Sequence, residues 1–124
     1  MGDFRELKVW QKARILRNEC ASLARLNFPN EEKFRLTDQL IRSSRAVTAM
    51  ITEGHGRYHY QENIQRLRMG RGELVETMDH FTVALDEGYI SEERVEAMLA
   101  MAKEVEKMIN GYIRYLKNAK GKDE

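Results

Sequence analysis

Four helix-length stretches with apolar stripes fill almost all of the 124 residues, and only three breaks separate them. In the first, Val9, Ala13, Leu16, Cys20 and Leu23 recur at steps of four and three, the spacing of one helix face. Phe4, Leu7 and Trp10 add a second apolar edge, and the expected helix runs from about Asp3 to Leu26. Pro29, the single proline, ends it because proline cannot extend the hydrogen-bond ladder. Asn30 then suits an N-cap, with Glu31 and Glu32 favoured by the helix dipole in the first turn. The second helix is expected over Glu31 to Thr52. Leu36, Leu40, Val47 and Met50 form one row, Phe34, Ile41 and Ile51 an adjacent one, and Ser43, Ser44, Ala46 and Ala49 allow close helix approach.

Gly54 and Gly56 predict a loop over Glu53 to His59. A third helix follows over about Gln61 to Glu87, carrying Ile64, Leu67, Leu74, Met78, Phe81 and Leu85. Arg71 takes a stripe position, and Gly70 and Gly72 beside it each cost about 1 kcal/mol in helix propensity relative to alanine. Such a pair signals close backbone contact, a kink or a function. Gly88 is read as a left-handed terminator and Ser91 as the cap of the last helix, which reaches about Asn118. Connections this short make sequential helices antiparallel. The expectation is an all-α, up-down-up-down four-helix bundle over residues 1–119, with a fraying tail at 120–124. Apolar residues beyond the main stripe of the fourth helix (Leu99, Met101, Met108 and Ile113) suggest a surface buried against another subunit.

The net charge of +1 gives no strong bulk attraction to nucleic acid, but its distribution is uneven. Residues 35–72 carry seven arginines against three acidic side chains, and residues 73–106 carry ten acidic against two basic. Arg42, Arg45, Arg57, Arg66, Arg68 and Arg71 are therefore the candidate nucleic-acid contacts, with Tyr58, His59 and Tyr60 beside Arg57. Arginine with aromatic neighbours suits phosphate contact and base stacking. Solvation, or pairing with the acidic zone, accounts for the same residues without a ligand.

Catalytic and metal chemistry find little support. Glu73, Glu76 and His80 share a helix face, but a di-iron bundle needs an acidic residue three before a histidine on two helices, and Asp79 stands three after Glu76. His55 and His59 fall in the expected glycine loop, where their spacing of four makes no helical metal pair. Gly54-x-Gly56 follows a helix rather than a strand and carries no dinucleotide signal. Cys20, the only cysteine, lies in an apolar stripe as a buried, inert thiol. No enzyme, cofactor, metal or small-molecule substrate is expected. The charged N-terminus does not read as a signal peptide, position 6 holds Glu rather than the Ser or Thr of a myristoylation signal, and no run is long enough to span a membrane. A cytoplasmic protein is expected.

The segment Phe4 to Ala13, Phe28-Pro29 with Glu32, and Leu36 to Leu40 resemble a bacterial four-helix-bundle family encoded in intervening sequences of large-subunit ribosomal RNA genes. Ile51-Thr-Glu53-Gly54-His-Gly56-Arg57 is similar to that family's central signature, with Glu53, Gly54, Gly56 and Arg57 as its core. Arg71 to Thr77 and Gly88-Tyr89-Ile90 extend the resemblance over nearly the whole chain. It departs at Thr48 and Met50, where the family often has proline and asparagine, and at Arg45, usually small or apolar. The resemblance implies an antiparallel bundle that assembles into a ring, typically a homopentamer, with no enzymatic activity. A related branch, the accessory variability determinants of diversity-generating retroelements, implies binding to a reverse transcriptase and its template RNA. The function expected is thus binding of structured RNA or a ribonucleoprotein partner, with a protein-assembly scaffold as the alternative.

Overall fold

A computed structural model describes residues 2–123, with the side chains of 120–123 excepted; the tail expected to fray, 120–124, lies outside the fully described residues. The four helices are α1 (Lys8–Asn27), α2 (Leu36–His55), α3 (Tyr60–Asp86) and α4 (Glu92–Asp123). They form an all-α bundle in which each helix packs on the next in sequence and α1 closes against α4. Every residue of the first expected stripe is buried: Val9, Ala13, Leu16, Cys20 and Leu23. They meet Leu40, Val47 and Ile51 of α2, Ile64, Leu67, Leu74 and Phe81 of α3, and Val95, Met98, Val105 and Ile109 of α4 in one core. No described helix is long and apolar enough to cross a membrane.

Three expected boundaries are corrected. The chain before Lys8 is a short 3-10 turn, Phe4–Glu6, capped by the Asp3 carboxylate. Phe4 packs edge-on to Trp10 at 5.2 Å, so the second apolar edge seals the end of the core. Residues Asn30–Glu32 also form a 3-10 turn, and α2 begins only at Leu36. Asn30 is therefore not its cap. The Glu32 carboxylate instead accepts the Leu36 N–H at 3.4 Å and, through its other oxygen, the Tyr89 hydroxyl at 2.7 Å. This contact holds the α1–α2 and α3–α4 connections together. Phe34 falls outside α2 and is 84% exposed rather than part of a core row.

The third correction concerns Gly54 and His55, which belong to α2 and not to a loop. A Cβ at Gly54 would stand 2.4 Å from Asn63 Oδ1, and one at Gly70 would stand 3.1 Å from Met50 Cβ. The Ser43 and Thr77 hydroxyls lie 2.7 Å apart further along the same seam. Asn63, Gly70 and Thr77 thus recur every seven residues on α3, each where α2 comes close, the repeat of a coiled-coil seam. Gly72, by contrast, faces outward, and a Cβ there would have nothing within 4 Å.

The helix-end signals at Gly88 and Ser91 stand as expected. Gly88 has φ +79°, with its N–H donating to Leu85 O and that of Tyr89 to Ala84 O, both at 2.9 Å. This Schellman turn ends α3 and needs a residue without a Cβ. Ser91 Oγ accepts the Arg94 N–H at 3.1 Å and caps α4. The surplus apolar residues of α4 are a correction: expected to face another subunit, they are used within the bundle, where Ile113 is buried and Leu99, Met101 and Met108 pack half-buried against the core.

Cys20 is fully buried, and burial pushes its thiol up from 9.0 to about 12. A thiol reagent at pH 8 should label it only as the chain unfolds, so the labelling rate should follow global opening measured by hydrogen exchange. Above pH 9 the unfolded chain releases this proton while the native chain retains it to about 12. Stability should therefore fall as pH rises through that window.

Candidate nucleic-acid interface

The α2–α3 corner is built around Glu53. Its carboxylate accepts Arg57 Nη2 at 2.8 Å and lies 2.9 Å from Arg66 Nε. The Arg57 hydrogen bond, with the charge of Arg66, holds the Glu53 carboxyl below its usual range. Gly54 provides the space for Asn63, whose Nδ2 donates to Tyr112 OH at 3.3 Å on α4. Gly56 closes the helix with an ordinary φ of −78° and has room for a Cβ. The four signature residues thus form a packed, charge-compensated corner. Tyr58 projects from it, 90% exposed, with its ring edge-on to His59 at 4.9 Å.

The six arginines singled out from the sequence do not converge on one patch. Arg57 and Arg66 share Glu53. Arg71 is half-buried and donates to Asn110 Oδ1 at 2.7 Å, tying α3 to α4 and explaining its place in the stripe. Arg42 lies 3.7 Å from Asp38. With Arg45 it lines a groove between α2 and α3 of about 510 Å³, but Glu73 and Glu76 form the other wall. Burial, with Glu76 alongside, raises the Glu73 carboxyl above its usual value. His80 is buried with Nε2 3.8 Å from Glu76 Oε1. Among the described residues, no three His, Cys, Asp or Glu side chains come together in a way that would hold a metal. Arg45 and Arg68 are exposed and form no ion pair among the described residues.

Sequence reasoning misses the arginines of α1. Arg17 and Arg25 line a second groove, of about 760 Å³, between α1 and α2 and opposite Arg45. Arg14 and Arg17 each place the guanidinium carbon 5.7 Å from the centre of the Trp10 ring. A signal is present, since positions 14, 17, 21 and 25 share a helix face, but only the packing of α1 on α2 brings that face beside Arg45.

The fold and these surfaces define an antiparallel helical bundle with arginine-lined grooves and an acidic zone confined to the second half of α3 and the first half of α4. Residues 5–111 match the 23S rRNA-intervening sequence protein family, and the chain belongs to that family. It is similar to the crystal structure, at 1.70 Å resolution, of a protein of unknown function from the S23 ribosomal protein family of Bacteroides thetaiotaomicron. The TM-score is 0.78 at 21% identity, covering 85% of this chain and 97% of the other. No curated protein matches the chain.

Proposed function

We propose that the protein is a non-enzymatic, self-associating bundle that binds structured RNA, or a ribonucleoprotein, inside the cell through its arginine side chains. The observation that supports this most is the presence of exposed arginines without carboxylate partners among the described residues, in a family whose name ties it to intervening sequences of 23S rRNA. Arg45 and Arg68 lack carboxylate partners among the described residues, and Arg57 adjoins the exposed Tyr58. Arg42, Arg57, Arg66 and Arg71 would contribute charge from positions already held by neighbours. Assembly into a ring, with exposed Ile15, Val75 and Val83 as candidate contacts, would multiply that charge.

Light scattering with and without a structured ribosomal RNA fragment, at low and moderate salt, tests this reading. An oligomer whose mass rises with RNA at low salt and falls back as salt increases is the expected result. A clean monomer overturns the assembly part. An oligomer indifferent to RNA overturns the RNA part and favours a protein partner, for which Leu26 and Phe34, both at least 80% exposed, are the available apolar contacts.

A further inference from the structure

The α1–α2 groove differs from the α2–α3 groove in its lack of free counter-charge. Arg17, Arg25 and Arg45 stand around it, and the short side chains of Ala21 and Ala49 keep it open between them. Among the described residues none of these arginines has a carboxylate partner, nor does Arg14. The one carboxylate lining the groove, Glu53, is already engaged by Arg57 and Arg66. The groove therefore collects positive charge that nothing within the chain neutralises. Arg17 is also held in place: its Nη1 donates to Thr48 Oγ1 at 2.8 Å while its guanidinium lies against Trp10. A guanidinium fixed in this way loses little freedom when it meets an anion.

We propose that this groove holds the sugar–phosphate backbone of a single RNA strand, with phosphates on Arg17, Arg25 and Arg45. The proposal rests on the RNA reading above and assigns it a surface. Arg17 and Arg25 are eight residues apart on α1, about 12 Å along the helix at 1.5 Å per residue, a span that suits several phosphates of one strand. The planar fork of arginine matches phosphate oxygens two at a time. The occupant proposed is a single strand, which can lie along the channel between the two adjacent helices. The α2–α3 groove, where Glu73 and Glu76 stand against Arg42 and Arg45, offers the same ligand no net positive charge.

Trp10 is the only tryptophan and lies beneath Arg14 and Arg17, so its emission reports on the groove. The test titrates the full chain with a labelled single-stranded RNA of about 20 nucleotides, followed by anisotropy and Trp10 fluorescence across a salt series. Arg25→Glu with Arg45→Glu is the decisive variant, because both side chains are exposed and unpartnered. Lys103→Glu on α4 is the control. Wild type should bind with a change in Trp10 emission. The double variant should lose at least about tenfold in affinity, and its salt slope should fall by about 1.4, the value for two phosphate contacts on a single strand. Lys103→Glu should bind as wild type does. Undiminished binding by the double variant overturns the groove while leaving the RNA reading in place, and so does equal competition by duplex RNA. Wild type that binds neither this RNA nor the structured fragment overturns the RNA reading itself. If the double variant dissociates an RNA-free oligomer, the groove is filled by a second copy of the chain and the proposal fails.

Discussion

Phe81→Ala should remove about 3–5 kcal/mol of stability, the range for truncating a fully buried aromatic. Phe81 is 0% exposed and the largest of the fully buried side chains, set on α3 where it meets the common core of all four helices. The loss has two parts: transfer of the ring out of apolar surroundings, and a cavity that long, tied helices fill only in part. Bundle stability is of the order of 5–15 kcal/mol, so the variant should sit near its unfolding midpoint under mild denaturant. Leu26→Ala provides the contrast, because Leu26 is 80% exposed and its truncation should stay within about 0.5 kcal/mol. Urea denaturation followed by circular dichroism measures both. A Phe81→Ala loss under about 1 kcal/mol would show that the core does not close around that ring.

Gly54→Ala should destabilise the bundle by about 1–3 kcal/mol through overpacking, even though alanine is the better helix former. A helix interior gains up to about 1 kcal/mol from replacing glycine with alanine. At Gly54 that gain is opposed by Asn63 Oδ1 at 2.4 Å and Asn63 O at 3.2 Å from the new Cβ. Asn63 has little room to yield, being buried and bonded to Tyr112. Relief therefore requires α2 and α3 to separate. Gly72→Ala reverses the sign, because its Cβ would meet nothing within 4 Å, and it should stabilise by about 0.5–1 kcal/mol. Opposite shifts in urea midpoint are the expected result; equal shifts would mean the α2–α3 seam is looser than the geometry indicates.

These two glycines also show what can be read from the sequence. Spacing alone identifies the core of α1 from Val9 to Leu23, since a stripe with no competing signal has one outcome. It also identifies Gly88 and Ser91, whose roles are local. Gly54 reads as a breaker because a glycine signals a break and a close approach in the same way, and only the facing helix distinguishes them. The start of α2 is misplaced for a similar reason. Glu32 turns its carboxylate to the Leu36 N–H and to Tyr89, a residue 57 positions away, and Phe34 is left outside as a result. The candidate site shows the same division. Arg42 to Arg71 form a group by proximity in the chain, yet Glu53, Asp38 and Asn110 engage four of them. Arg17 and Arg25 join Arg45 only through helix packing.

The acidic zone described above has a consequence for kinetics. Antiparallel closure places the second half of α3 beside the first half of α4, so Asp79, Asp86, Glu87, Glu92, Glu93 and Glu96 gather at one corner, while the α1–α2 face keeps its unpartnered arginines. A chain with almost no net charge therefore carries an electric moment across the bundle. If RNA is the partner as proposed, such a molecule is turned before it touches, acidic corner outward and arginines inward, so that a larger share of encounters arrive in register. The gain lies in the association rate and disappears as salt shortens the reach of the field.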